Sequence, residues 1–155
     1  EIIKEALAIA RKYPNTKAIR EPIRQHFMPT YPYADAVETA AEVMALFWIT
    51  KGDVREGLVG ATNLGRDTDC IGGMLGSICG AYKGIQGVPS EWCELVQKAL
   101  DRNVVTMQKM SMEETARRLT GAVRANLERL RRQVNELDQL DAAAGTTVVE
   151  LAVAS

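Results

Sequence analysis

Two aspartates, Asp67 and Asp69, stand at the front of a stretch otherwise made largely of small and apolar residues, NLGRDTDCIGGMLGSICGAYKG over 63–84. Carboxylates in that position can do two kinds of work. Asp67 can cap a helix whose first residue is Thr68, with Asp69 just inside, where unpaired N–H groups and about half a positive charge favour both ionised forms. The two carboxylates still repel each other, and a bound cation would relieve this. Hard cations such as Mg²⁺ or Mn²⁺ take carboxylate and hydroxyl oxygens. On these residues alone, capping and cation binding both remain open. A phosphate-binding loop is excluded, because neither G-x-x-x-x-G-K-[ST] nor G-x-G-x-x-G occurs.

The helix behind the aspartates carries Gly72, Gly76, Gly80 and Gly84 at four-residue steps, beside Gly73, Ser77 and Ala81. A glycine inside a helix costs about 1 kcal/mol against alanine, so the stripe predicts close approach by a neighbouring helix. Ile71, Met74, Leu75 and Ile78 would fill the remaining surroundings, making this helix central and enclosed on all sides.

The elements around it follow from periodicity and caps. A first helix is expected over 1–13, stopped by Pro14-Asn15. Residues 14–33 hold Pro14, Pro22, Pro29 and Pro32, which predicts an irregular connection with a short helix near 21–26. Val37, Ala41, Met44, Ala45 and Trp48 predict a helix over 33–51 ended by Gly52. Asp53 with Glu56 opens another, broken at 63–65. Asp67 caps the glycine-rich helix to about residue 84, Pro89-Ser90 starts a fifth, and Ser111 with Glu114 caps a long sixth.

On that last helix Val123, Leu127, Leu130, Val134 and Leu137 step by four and three. This seam of about two heptads favours a helix docked on its own domain over a coiled-coil dimer. No segment alternates as strands do, so the fold class is all-α. We expect one domain over 1–140 and a flexible tail or single added strand over 141–155.

The chain has 155 residues, 19 basic against 20 acidic. That size suits one ordinary core, and that balance gives no electrostatic case for nucleic acid or an anionic membrane. The longest apolar run, 70–82, is too short to span a bilayer. Cys70, Cys79 and Cys93 are odd in number and lack C-x-x-C spacing, which argues against a disulfide framework or structural zinc and fits a reducing, cytoplasmic setting. The first residue is Glu1, so an upstream portion or an artificial boundary is expected.

The whole string is more specific than its parts. ATNLGRDTDCIGGMLGSICGAYKG followed by VPSEW resembles the carboxyl-terminal signature of the ADP-ribosylglycohydrolase family, N-x-G-G-D-T-D-T-I-G-x-x-x-G-A-x-x-G-A followed by I-P-x-x-W. Upstream, DAVETAAEVMALFWITKGDVREGLVGATNLG resembles the helix, Gly-Asp turn and helix that lead into it. The resemblance covers about 1–135 and implies an all-α bundle, a carboxyl-terminal half of the family fold.

It also implies hydrolysis of the bond between ADP-ribose and an acceptor, on an ADP-ribose-containing small molecule or an ADP-ribosylated protein, with two Mg²⁺ or Mn²⁺ ions. By the same resemblance Asp67 is a terminal metal ligand and Asp69 the bridging one. Asn63, Gly65, Arg66 and Thr68 are candidate ligand contacts. Two positions depart from the family. Cys70 replaces a threonine ligand, so the ligand is lost, a softer metal is used, or Cys70 packs, and packing is favoured. Arg66 replaces a glycine and either forms a local salt bridge, the commoner fate, or reaches a pyrophosphate.

The family's G-D-A-x-G segment and Thr-Asp-Asp triplet, which supply the opposite metal ligands, do not occur in this chain. A complementary amino-terminal half or partner chain is therefore expected, and no catalytic residue is assigned. The other reading is a non-catalytic, crystallin-like or binding protein of the same fold. A third is a helical module that forms homo-oligomers through 119–140. His26, the only histidine, suits solvent or packing, and Phe47, Trp48 and Trp92 suit the core.

Overall fold

The structure is a computed structural model that describes residues 1–31, 33–102, 104 and 110–153, with side chains to residue 142. Among them are seven α-helices and no strand: α1 Ile2–Ala10, α2 Thr16–Phe27, α3 Ala36–Thr50, α4 Val54–Leu64, α5 Thr68–Lys83, α6 Ser90–Arg102 and α7 Met112–Val153. The all-α expectation holds. The backbone divides into two compact units, Glu1–Val96 and Gln97–Ser155, so a boundary falls inside the stretch expected as one domain.

The first unit contains the core. Ala6 and Ala10 of α1, Ile19, Ile23 and Phe27 of α2, Ala41, Val43, Ala45 and Leu46 of α3, Val54, Ala61 and Leu64 of α4, and Ile71, Leu75 and Cys79 of α5 are buried together. Helix α3 packs on α1 and α5, and α4 packs on α5 and α2. Arg55 of α4 pairs with Glu91 and lies 4.8 Å over the Trp92 ring, which fixes the start of α6 on α4.

Helix α2 corrects the sequence reading, which had 14–33 mostly irregular. Asn15 caps it by accepting from the Ala18 N–H at 2.9 Å, and Pro22 lies inside it. An interior proline costs about 3 kcal/mol. Burying Ile19, Ile23 and Phe27 on one stripe contributes about 1.5–3 kcal/mol for each side chain, enough to override the proline. Pro32, the last proline of that expected connection, lies outside the described residues.

Helix α5 also differs from expectation. Only Ile71, Leu75 and Cys79 are buried on it, while Gly73, Met74, Ser77 and Ile78 are exposed. A Cβ added at Gly72, Gly73 or Gly80 would meet nothing within 4 Å, and one at Gly76 would meet only Leu58. The close approach is instead on α4, where a Cβ on Gly60 would lie 2.7 Å from Cγ2 of Thr16. Gly60 therefore serves the α4–α2 contact, while Gly57 faces Leu75 and Cys79 of α5, and α5 is packed on one side.

In the second unit, the Ser111 hydroxyl accepts from the Glu114 N–H at 3.1 Å to open α7, and Glu114 pairs with Arg117 and Arg118. The seam residues Val123, Leu127, Leu130, Val134 and Leu137 are exposed along α7. Helix α7 continues to Val153, where a tail or strand was expected. Extending an existing helix fixes one residue per hydrogen bond gained, and Gly145 alone does not stop it. Among the described residues no helix is long and apolar enough to cross a membrane.

Candidate functional site

The turn between α4 and α5 builds the site. Leu64 ends α4, Gly65 follows at φ +89° and Arg66 at φ +64°, and Asp67 then caps α5. Two successive positive φ values reverse the chain within two residues and aim the amino end of α5 outward. Donor atoms of Asp67, Asp69 and Cys70 lie within 4.8 Å of one another. Oδ1 of Asp67 accepts from the Cys70 N–H at 3.3 Å, so the cap expected from sequence is present.

Cys70, for which packing was favoured, is exposed among the described residues of this chain. Its thiol bonds to Asp67, and that bond with the Asp67 charge pushes the thiol's pKa up, favouring the protonated donor. Asp67 in turn is held below its ordinary value by the Cys70 thiol first and by Asp69 second. Two carboxylates and a thiol donor fit a cation bound mainly through oxygen.

Arg66 points the other way. Its side chain is 11 % exposed, with Nη2 lying 2.6 Å from Oε2 of Glu38, 2.7 Å from the Tyr31 carbonyl and 2.8 Å from the Tyr33 carbonyl. A left-handed backbone costs a non-glycine residue roughly 1–2 kcal/mol, which this charge-assisted bonding offsets. Of the two fates open to Arg66, the structure shows the salt bridge, drawn into the interior. Glu42, one helical turn beyond Glu38, is also buried. Burial first and the Glu38 charge second push its pKa up from 4.5 to about 7, against Arg66 and Arg24.

The remaining candidates are dispersed around this turn. Thr68 is half-buried at the first helical position, and Gly65 is half-buried beside it. Asn63 is exposed and lines a cavity of about 290 Å³ with Thr16, Lys17 and Arg20 of α2. His26 lies outside this cluster, its Nε2 3.1 Å from Glu5, in keeping with a solvent or packing role. Trp48 is not core: it is about half exposed, with Arg11 5.1 Å over its ring, while Phe47 and Trp92 are partly buried. Glu38, Glu42 and the α2 cations were missed. Two glutamates one turn apart on the buried stripe of an otherwise apolar helix were a usable signal for the first two.

An all-helical core that presents an acidic turn at a capped helix end agrees with a match to the family model described as ADP-ribosylglycohydrolase, over residues 1–148. The chain belongs to the ADP-ribosylglycohydrolase family, a family of hydrolases. No curated protein and no solved structure matches it significantly.

Proposed function

We propose that this chain carries the signature-bearing part of a metal-dependent hydrolase that cleaves the glycosidic bond between ADP-ribose and an acceptor. The observation that carries the reading is the cluster of Asp67, Asp69 and Cys70 donor atoms at the capped end of α5. Asp67 and Asp69 would hold Mg²⁺ or Mn²⁺, with Cys70 contributing a thiol in place of the family's threonine hydroxyl. Such ions, when bound, supply Lewis acidity toward the ribose and lower the pKa of an attacking water. The chain's own part is to fix both carboxylates. Asp67 is held by its capping bond, and the backbone before it by the buried Arg66–Glu38 pair.

A second wall of ligands would come from a complementary amino-terminal half or partner chain. The exposed face of α5 beside the aspartates, with Gly73, Met74, Ser77 and Ile78, supports that part of the reading. The free thiols, including exposed Cys70, support a reducing cytoplasmic setting. The alternative of a non-catalytic relative is favoured by one observation: the Cys70 thiol and N–H both bond Asp67, an arrangement that needs no cation.

Titration calorimetry separates the two. For the hydrolase reading, wild type gives saturable Mn²⁺ heat that strengthens ADP-ribose binding, and Asp69→Asn removes it. Wild type without metal-dependent heat would leave only the non-catalytic reading.

A further inference from the structure

Helix α7 carries an uncovered apolar stripe. Val123, Leu127, Leu130, Val134 and Leu137 are all exposed, Leu130 least at 44 %. Their steps of four and three put Leu127 and Val134 at position a of a heptad, and Val123, Leu130 and Leu137 at position d, the inner seam of a coiled coil. Leu119 and Leu140, also exposed, carry the stripe one turn further each way, so that it spans about three heptads over 119–140. What fits such a stripe is a helix of equal length with the same seam, and a second copy of α7 is one.

Charge decides how two such helices lie. Residues 124–132 hold Arg124, Arg129, Arg131 and Arg132 against Glu128 alone, whereas 133–141 hold Glu136, Asp138 and Asp141 and no basic residue. One half of the seam is thus basic and the other acidic. Among the described residues neither Arg124 nor Asp138 forms an ion pair within 4.0 Å. Both occupy position e, beside the seam. Side by side in the same direction, two copies would set basic half on basic half, and Asp141, at position a, would face Asp141 across the seam. No opposite charges would meet at the flanks. With one helix turned end for end, a positions face d positions and e faces e. Leu127 then packs on Leu137 of the second copy and Leu130 on Val134, twice each by symmetry, and Arg124 meets Asp138 of the second copy at two places. This register has two costs: Arg131 meets its own copy at the axis, and Asp141 faces Val123, which sets the ends of the zipper.

We propose that the α7 stripe is an interface for a second copy of this chain, paired antiparallel with Leu127 on Leu137, Leu130 on Val134 and Arg124 on Asp138. Nothing in this pairing depends on a bound metal or on hydrolysis.

The test is a charge swap read by sedimentation equilibrium of the full chain at low salt. Arg124 and Asp138 are both exposed, so neither change disturbs a core. Wild type forms a dimer. Arg124→Asp and Asp138→Arg each turn both ion pairs into like-charge contacts and weaken the dimer by about tenfold, the effect of two exposed pairs reversed at once. The double variant restores an opposite pair at each place and returns to within about twofold of wild type. Only antiparallel copies bring the two positions together, so this rescue reports orientation as well as association. A wild type that stays monomeric, its stripe covered by its own chain, overturns the proposal, and so does an assembly larger than a dimer. A dimer that neither single change weakens, or that the double variant fails to restore, overturns the antiparallel pairing.

Discussion

At the residue scale the most informative side chain is Glu42. It is buried beside Glu38, and its pKa rises from 4.5 to about 7. An acid whose folded pKa lies above its unfolded one binds more protons when folded. Stability from this group is therefore fully present below about 4.5 and is lost as pH climbs through about 7. Each pH unit within that window is worth up to ~1.4 kcal/mol. Glu42→Gln keeps the shape without the charge, and chemical denaturation between pH 5 and about 7.5 is expected to show a flatter profile than wild type. An unchanged slope would mean that Glu42 is ionised throughout. Neither glutamate stood out in the sequence, because the surrounding VETAAEVMA reads first as an apolar helix. Arg66 was seen but placed outside, since a turn residue between glycine and aspartate gives no hint of a carboxylate waiting behind it.

At the element scale, helix starts were readable and helix environments were not. Asp53, Asp67 and Ser111 each accept the backbone bond expected of a cap, because capping depends on a few adjacent residues. The extent of α2 depended on burial of Ile19, Ile23 and Phe27 against other helices, which no local rule reports. The glycines are the clearest case. Spacing pointed to α5, but tertiary contact uses Gly60 of α4. Gly80→Ala is expected to stabilise the chain by about 0.5–1 kcal/mol through helix propensity alone. Gly60→Ala, which must displace Thr16, is expected to destabilise it by about 1–2 kcal/mol. Paired thermal melts check both, and a destabilised Gly80→Ala would mean that α5 is covered where it is now open.

At the scale of the whole molecule, the all-α class was legible because no stretch alternates and the caps divide the chain cleanly. The division at Val96 and Gln97 was not, because it falls inside α6, where periodicity continues without a break. The seam of α7 is exposed from Val123 to Leu137, and an apolar stripe in water favours association with a like stripe. Sedimentation at several concentrations is expected to show a mass that rises with concentration, and Leu127→Asp with Leu130→Asp is expected to abolish the rise. A mass that stays constant for wild type would remove self-association through this helix.

The inward Arg66 has a consequence for how a cation would be received. A loop that must be gathered around its ion loses conformational freedom on binding, roughly 1–2 kcal/mol for each residue fixed. Here the backbone just before Asp67 is already tied to α3 and to the Tyr31 and Tyr33 carbonyls from within. A cation bound there would meet a seat already preorganised by a buried anchor, and its affinity would be set by the donor atoms themselves rather than by the work of assembling them.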